Sequence, residues 1–231
     1  MPPVSLVPQV FRVLRDYDKY PSTIERDMEM LNDAKCDVLF LPAVNEMYPE
    51  GFENKSKIDF GYLAKILEGE KRPGHFNGMA QVVEVLLRIV QPDKLFMGQK
   101  DYQQQLIVAQ LIKKRKLKTE LVVGATVREK DGLAMSSRNV RLDAASRKLA
   151  VEISKTLKET KAAIRQPKLS IAQIQEGGMI RLAKFKGIET EYFEIRNAET
   201  LKPVKDKLEK LVALTAVKIG GVRLIDNMLL N

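Results

Sequence analysis

Phosphate-binding side chains are concentrated in the stretch GLAMSSRN, residues 132–139. Ser136 and Ser137 carry hydroxyl groups, and Arg138 offers forked donors that match the geometry of phosphate oxygens. The Asp131–Gly132 pair predicts a turn, and a turn that carries these groups can close over a phosphate chain. Serines also commonly precede helices as N-caps. The local composition therefore leaves two interpretations evenly matched, namely a phosphate clamp and the polar start of a helix.

A second group of polar residues lies in LFMGQKDYQQQ, which predicts a strand, a short turn and a helix. In an α/β sheet the carboxyl ends of the strands are the edge where ligands bind. Gly98 permits close backbone approach, and Lys100 supplies a point charge for a phosphate. Asp101 either accepts from a ribose hydroxyl or caps the helix, and its local sequence favours capping. Of the three glutamines 103–105, one or two can reach a cleft while the others are solvated.

The chain has one histidine and one cysteine. His75 lies between glycines in RPGHFNG and is either a general base or a structural hydrogen-bonding residue, of which the second is favoured. Cys36 lies in DAKCDVLFLP, which predicts a buried strand ending at Pro42, so we expect a buried packing residue rather than a nucleophile. One cysteine cannot form an intramolecular disulfide, and this is typical of a reducing cytoplasm.

The composition of the 231 residues is that of a globular protein, with 45% hydrophobic and 30% charged residues. No apolar run approaches the ~20 residues that a membrane span requires, so we expect no membrane association. The formal net charge of +9 is compatible with nucleic acid or with an anionic small substrate. The one dense basic run, residues 113–118, has no interleaved aromatic residues for base stacking. It is interpreted as a solvated helix end rather than an RNA patch, and no nucleic-acid partner is expected.

Strand and helix patterns alternate along the first half of the chain and predict an α/β fold with a parallel sheet. After Arg138 the pattern changes to two amphipathic helices, one opened by Asp143 and one following Pro167, and then to strands interrupted at Gly220–Gly221. This second part predicts a small α+β domain. We therefore expect a first domain over residues 1–125 and a second over residues 126–231.

Five segments together resemble the pantothenate synthetase (pantoate–β-alanine ligase) family: YPSTIERD, LEGEKRPGHFNGMAQVV, QPDKLFMGQKDYQQQ, TVREKDGLAMSSRN, and YFEIRNAETLKPV with VRLIDNML. They occur in the family's order and spacing from about residue 17 to residue 228. The resemblance implies a Rossmann-like nucleotidyltransferase domain, a C-terminal lid domain, a homodimer, and a reaction that depends on ATP and Mg²⁺. Pantoate would attack the α-phosphate of ATP to give pantoyl adenylate and pyrophosphate. The β-alanine amine would then attack the activated acyl group and release AMP.

The resemblance also implies roles for single residues. It makes Lys100, Ser136 and Arg138 catalytic, because they would neutralise charge that develops on the phosphates. It assigns pantoate binding to Gln104, places Asp27 near the position where a magnesium-associated carboxylate is expected, and favours a ribose contact for Asp101 over capping. The ATP-binding residues that it implies are Gly98, Gln99, Lys100, Asp101, Val127, Met135, Ser136, Ser137 and Arg138.

The chain departs from the family pattern near its start. The family's MGALHEGH-like turn, whose two histidines bind ATP, is absent, and VPQVF stands where the family has NPTQF. Val10 occupies the place of the pantoate-binding glutamine, and Gln9 is displaced by one residue. Because a one-residue shift reverses the direction of a side chain in a strand, Gln9 is a doubtful pantoate ligand. The sequence thus resembles a family member that lacks its first strand–turn–helix unit. The alternative is a non-catalytic relative that binds nucleotide or dimerises without turnover.

From this departure we expect adenylation by the 231-residue chain to be far slower than in a complete enzyme, since half of the ATP site would be missing. The rate of AMP release from ATP in the presence of pantoate and β-alanine measures this activity. Turnover of ~1 per second or above, an ordinary enzyme rate, would contradict the expectation. ATP binding without pyrophosphate release would instead support the non-catalytic alternative.

Overall fold

The computed structural model describes residues 24–49 and 58–231. The sequence-based predictions for Gln9 and Val10 lie outside these residues. The chain divides into two compact units, the first comprising Met1–Asp93 with Gln110–Thr119 and the second Lys94–Ala109 with Glu120–Asn231. The boundary predicted between residues 125 and 126 falls within the second unit, and the division into two functional domains stays a prediction.

The described part of the first unit is helical. Val82 of its long helix packs with Met47 and Tyr48 in a small apolar cluster. On another side of the same helix, Glu84 pairs with Arg115 at 2.9 Å. The elements are α1 (Ile24–Asp33), α2 (Val44–Met47), a 3₁₀ turn (Gly61–Ala64), α3 (Glu68–Lys71) and α4 (His75–Val90).

The prediction of a buried strand at CDVLFLP is wrong. Residues 36–43 form no strand, Cys36 is exposed, and Val38 is 79% exposed. A strand requires partners for its backbone N–H and C=O groups, and none of the described residues pairs with this segment. The apolar composition of this segment therefore predicted burial, but no element in the described part of the chain covers it.

The second unit contains a parallel strand pair, which confirms the α/β prediction. Strand β1 (Lys94–Gly98) pairs in parallel with β2 (Glu120–Gly124), so that Gly98 lies opposite Gly124. Helix α5 (Tyr102–Arg115) connects the two strands, and Ile107 and Val108 on it are fully buried. The last turn of α5 carries residues 113–115 of the basic run, which confirms that this part of the run is a helix end.

The C-terminal part of the second unit is two helices and an antiparallel sheet. Helix α6 (Ala144–Ile164) begins after Asp143, whose carboxylate accepts from the backbone N–H of Ser146 at 2.7 Å, and this confirms the predicted start. Helix α7 (Ile171–Ala183) follows, and then β3 (Ile188–Asn197), β4 (Leu211–Ile219) and β5 (Val222–Leu229) pair in the order β3-β4-β5. The predicted break at Gly220–Gly221 is the β4–β5 turn, where both glycines have positive φ.

The helices α6 and α7 cover one face of this sheet with an apolar core. Leu157 of α6, Leu182 of α7 and Phe193 of β3 are all at most 2% exposed. Gly178 of α7 lies directly against the Phe193 ring, and a Cβ at this position would come within 2.4 Å of a ring carbon. The close approach of α7 to β3 therefore requires a glycine.

Substitution of Gly178 by Ala should lower the free energy of unfolding by about 1–3 kcal/mol, because the buried ring has no room to move aside. Gly177 is the matched control: it is exposed on the same helix, and a Cβ there meets no atom within 4 Å. Gly177→Ala should raise the free energy of unfolding by about 0.5–1 kcal/mol through helix propensity. Urea denaturation of both variants measures the difference, and equal effects at the two positions would contradict the packing.

Candidate active site

The turn between β1 and α5 presents backbone and an acidic side chain at the carboxyl end of β1. A Cβ at Gly98 would meet nothing within 4 Å, so the backbone there is open to close approach. The Gln99 N–H donates to the Gly124 carbonyl at 2.8 Å, and the Asp101 carbonyl accepts from the Gln105 N–H at 3.1 Å. The Asp101 carboxylate is exposed and hydrogen-bonds no described residue, which leaves it available to accept from a ribose hydroxyl.

The three glutamines at the start of α5 differ in exposure. Gln103 and Gln105 are buried, at 3% and 6% exposed, whereas Gln104 is partly exposed. Gln104 is therefore the glutamine that the helix offers to a ligand, and it is the one to which the family resemblance assigns pantoate.

Residues 127–135 form a tight hairpin that leads into the SSR segment. The Met135 N–H donates to the Val127 carbonyl at 2.9 Å, and the backbones of Arg128 and Ala134 form an isolated antiparallel β-bridge. Gly132 has φ +94° and closes the turn, which confirms the turn predicted at this position. The side chains of Val127 and Met135 are 67% and 49% exposed. The two arms of the hairpin thus offer apolar groups of the kind that an adenine ring contacts.

The hairpin turn is also attached to α6. Arg147 donates to the Asp131 carboxylate at 2.7 Å, and this hydrogen bond holds the pKa of Asp131 below its usual value. The turn is therefore held from the α6 side.

Ser136 caps a short 3₁₀ helix over Ser137–Arg141. Its Oγ accepts from the Arg138 N–H at 3.2 Å, which confirms the cap interpretation of the sequence. A hydroxyl that accepts one hydrogen bond still has its own proton to donate. The cap therefore leaves the Ser136 O–H available for a phosphate oxygen, and the two interpretations of GLAMSSRN do not exclude each other.

Asn227 of β5 holds the β1–α5 turn. Its Nδ2 donates to the carbonyls of Gln99 and Lys100 at 3.0 and 2.8 Å, and its Oδ1 accepts from Gln99 Nε2 at 3.1 Å. Asn227 is 2% exposed, so these bonds satisfy an amide that is shielded from water.

The neighbouring residue, Asp226, holds the hairpin. The Arg128 guanidinium donates to both Asp226 carboxylate oxygens, at 2.7 and 2.9 Å, and also to the Gly132 carbonyl at 3.0 Å. Neither Asp226 nor Asn227 is among the residues predicted from the sequence to form the site. The signal was present in VRLIDNML, because Asp and Asn are depleted in strands and two adjacent polar residues interrupt the apolar pattern.

The predicted metal residue Asp27 lies on α1 in the first unit and is partly exposed. Among the residues that the structure describes, no three His, Cys, Asp or Glu side chains form a cluster that could hold a metal ion. Mg²⁺ commonly binds through one or two carboxylates together with substrate phosphates. A single carboxylate such as that of Asp27 is a ligand of the kind that Mg²⁺ takes in such sites.

His75 has a structural contact. It is 8% exposed at the start of α4, and its Nε2 lies 3.1 Å from Nη1 of Arg72. Because a guanidinium only donates, Nε2 accepts in this pair. The contact favours the structural interpretation of His75 over the general base.

Comparison with known proteins assigns the chain to a family. The sequence model of the pantoate–β-alanine ligase family matches residues 4–229. The chain belongs to this family. A relative, the pantothenate synthetase of Cytophaga hutchinsonii, is 41% identical over 225 residues that cover 96% of this chain and 79% of the relative. Family membership confirms the resemblance found in the sequence.

Solved structures of family members match the fold. The pantothenate synthetase from Thermus thermophilus matches with a TM-score of 0.90 at 39% identity, covering 96% of this chain and 79% of the other. The pantoate–β-alanine ligase from Francisella tularensis, complexed with β,γ ATP and β-alanine, matches with a TM-score of 0.74 at 32% identity over 96% and 76%. None of the helices in the described part of this ligase-family chain has the length and apolar character of a membrane span.

Tyr102, the first residue of α5, provides a test of how this turn is anchored. Its hydroxyl donates to the Ala198 carbonyl at 2.8 Å, and burial together with the negative charge of Glu199 raises the pKa of Tyr102 to about 12. Tyr102→Phe should lower the free energy of unfolding by about 1 kcal/mol near neutral pH. The pKa of Tyr102 is higher in the folded chain than the value of 10 expected in the unfolded chain. The protonated hydroxyl therefore contributes its full stabilisation below pH 10, and this contribution is lost as the pH rises to about 12.

We therefore expect the stability advantage of the wild-type chain over Tyr102→Phe to decline between pH 10 and about 12. Denaturant titrations of both proteins across this range measure the difference at each pH. A difference that stays constant with pH would show that the phenol is not shielded as described.

Proposed function

We propose that this chain condenses pantoate with β-alanine in an ATP-dependent reaction that passes through pantoyl adenylate and releases AMP and pyrophosphate. The observation that carries the proposal is the joint anchoring of the two predicted phosphate-contacting segments. The Gly98–Asp101 turn and the hairpin before Ser136–Arg138 belong to one compact unit, and both are hydrogen-bonded to adjacent residues of β5. The family's Francisella tularensis member, complexed with ATP and β-alanine, supports the same assignment.

In the first step a carboxylate oxygen of pantoate attacks the α-phosphorus of ATP, and the bond to the pyrophosphate leaving group breaks. Negative charge grows on the leaving phosphates as this bond lengthens. Lys100 and Arg138 supply positive charge, and the Ser136 hydroxyl supplies a hydrogen bond, so these side chains stabilise the transition state. The Ser137 hydroxyl completes the phosphate contacts in this proposal, and Gln99 lies beside the nucleotide.

In the second step the neutral β-alanine amine attacks the acyl carbon of pantoyl adenylate. The C–N bond forms, the bond between the acyl carbon and the AMP oxygen breaks, and the amine proton passes to water. Asp101 binds the ribose, Val127 and Met135 lie along the nucleotide, and Gln104 orients the pantoyl group. These groups hold the acyl carbon in place for the amine, which converts a bimolecular encounter into a positioned reaction.

The remaining parts of the proposal come from the family resemblance. Mg²⁺, when bound, supplies charge neutralisation at the phosphates, and Asp27 is the carboxylate that we propose near it. A homodimer and a cytoplasmic location are proposed on the same basis. Pantoate and β-alanine are the proposed partners, with no nucleic acid or membrane.

A pair of lysine variants tests the assignment of the phosphate site. Lys100→Gln should lower kcat/KM for ATP by about 10²–10³-fold, the range found when a donor to developing charge is removed. Lys118→Gln is the matched control, because Lys118 is exposed after α5 and belongs to no predicted site. Formation of AMP and pantothenate from ATP, pantoate and β-alanine is the measurement. An equal effect in both variants would contradict the assignment, and a wild-type chain that forms no pantothenate would contradict the function.

A further inference from the structure

The hydrogen bonds of Asn227 define the backbone conformation at Lys100. The Gln99 carbonyl belongs to the peptide unit before the Lys100 Cα, and the Lys100 carbonyl belongs to the unit after it. Asn227 Nδ2 donates to both carbonyls, at 3.0 and 2.8 Å. Because each peptide unit is planar, holding both units restricts φ and ψ of Lys100 and hence the direction in which its side chain leaves the turn.

The hydrogen bonds of Asp226 act in the same way on the hairpin. Its buried carboxylate accepts both arms of the Arg128 guanidinium, and Arg128 in turn donates to the Gly132 carbonyl inside the hairpin turn. The Asn227 carbonyl accepts a further bond from Arg128 at 3.2 Å. The hairpin is thus attached to the same short segment of β5 that carries Asn227.

We infer that Asp226 and Asn227 are positioning residues for ATP. The inference rests on the proposed function, in which the turn and the hairpin contact the nucleotide phosphates. Asn227 sets the direction of Lys100, and Asp226 acts through Arg128 on the hairpin that precedes Ser136. Because the two residues are neighbours in β5, a single strand fixes the spacing of both segments. Neither residue needs to touch the nucleotide to do so.

The test compares two asparagines whose side chains each donate two hydrogen bonds and accept one. Like Asn227, Asn231 donates from Nδ2 to two backbone carbonyls, those of Lys207 and Glu209, and accepts one hydrogen bond, from the Leu211 N–H. Asn231 is exposed and contacts no predicted ATP segment. Asn227→Ala and Asn231→Ala therefore remove the same number of side-chain hydrogen bonds, and only those of Asn227 hold an ATP segment. The measurements are the Kd for ATP by calorimetry, the KM for ATP and, separately, the KM for β-alanine.

Asn227→Ala should raise the Kd and KM for ATP by about 10-fold or more, since small misplacements of contacting groups have effects up to ~10²-fold. The KM for β-alanine should stay within about two-fold, and Asn231→Ala should leave all three constants within the same limit. A purely structural role would shift the unfolding midpoint without this split between ATP and β-alanine. Arg128→Lys, which keeps the charge beside Asp226 but loses the fork, should weaken ATP binding in the same direction.

ATP affinity within about two-fold of wild type in both Asn227→Ala and Arg128→Lys would overturn the inference, even if the wild-type chain makes pantothenate. If Asn227→Ala fails to fold, the ATP affinity of Arg128→Lys decides whether the inference holds. A wild-type chain that binds ATP but forms no pantothenate would contradict the proposed function. The ATP affinities of the variants would still show whether Asp226 and Asn227 position the ATP segments. A wild-type chain that does not bind ATP would overturn both.

Discussion

The second unit depends on a pair of adjacent polar residues buried in an edge of its antiparallel sheet. Asp226 is 3% exposed, and a carboxylate removed from water is tolerated only when its oxygens are bonded. Arg128 supplies two of those bonds and the Asn227 N–H a third at 2.7 Å. Loss of either partner of a buried ion pair typically costs about 3–5 kcal/mol. The burial of Asp226 therefore enforces the attachment of the hairpin, since no described side chain other than that of Arg128 pairs with this carboxylate.

The place of Asp226 and Asn227 is in turn fixed by the register of β5 on β4. Asp226 lies opposite Thr215, and Asn227 lies opposite Leu214. The two-residue Gly220–Gly221 turn fixes this register because it joins the paired residues Ile219 and Val222 directly. A slip of one residue would exchange the two faces of the strand and send both side chains to the wrong sides. The apolar core under α6 and α7 opposes such a slip, because the buried valines and leucines of β4 and β5 would be moved out of it. Packing on one face of the sheet thus fixes the register that sets the geometry of the proposed nucleotide site.

The parts of the structure that the sequence predicts correctly are those whose information is local. Asp143 caps the helix that begins beside it, and the strand β1 and helix α5 follow from their own apolar patterns. The predictions that are wrong or missing concern contacts between residues that are far apart in the sequence. The run after Cys36 has the composition of a buried strand, but burial depends on what lies beside it. Arg128 and Asp226 are 98 residues apart, and Gln99 and Asn227 are 128 apart, so no local pattern indicates that these side chains meet.

The same distinction explains why GLAMSSRN is ambiguous as a sequence. Helix capping and phosphate binding both use a hydroxyl close to backbone N–H groups at the start of a helical turn, so their local signatures coincide. In the structure Ser136 accepts from the Arg138 N–H, while the Asn139 side chain donates to the Ala134 carbonyl at 3.1 Å on the other side of the segment. These bonds fix the segment without using the Ser136 proton. A phosphate oxygen can therefore accept that proton without breaking an existing bond, and groups that are already in place stabilise developing charge with little reorganisation. In the proposed function, the cap therefore holds the Ser136 hydroxyl in position for a phosphate oxygen.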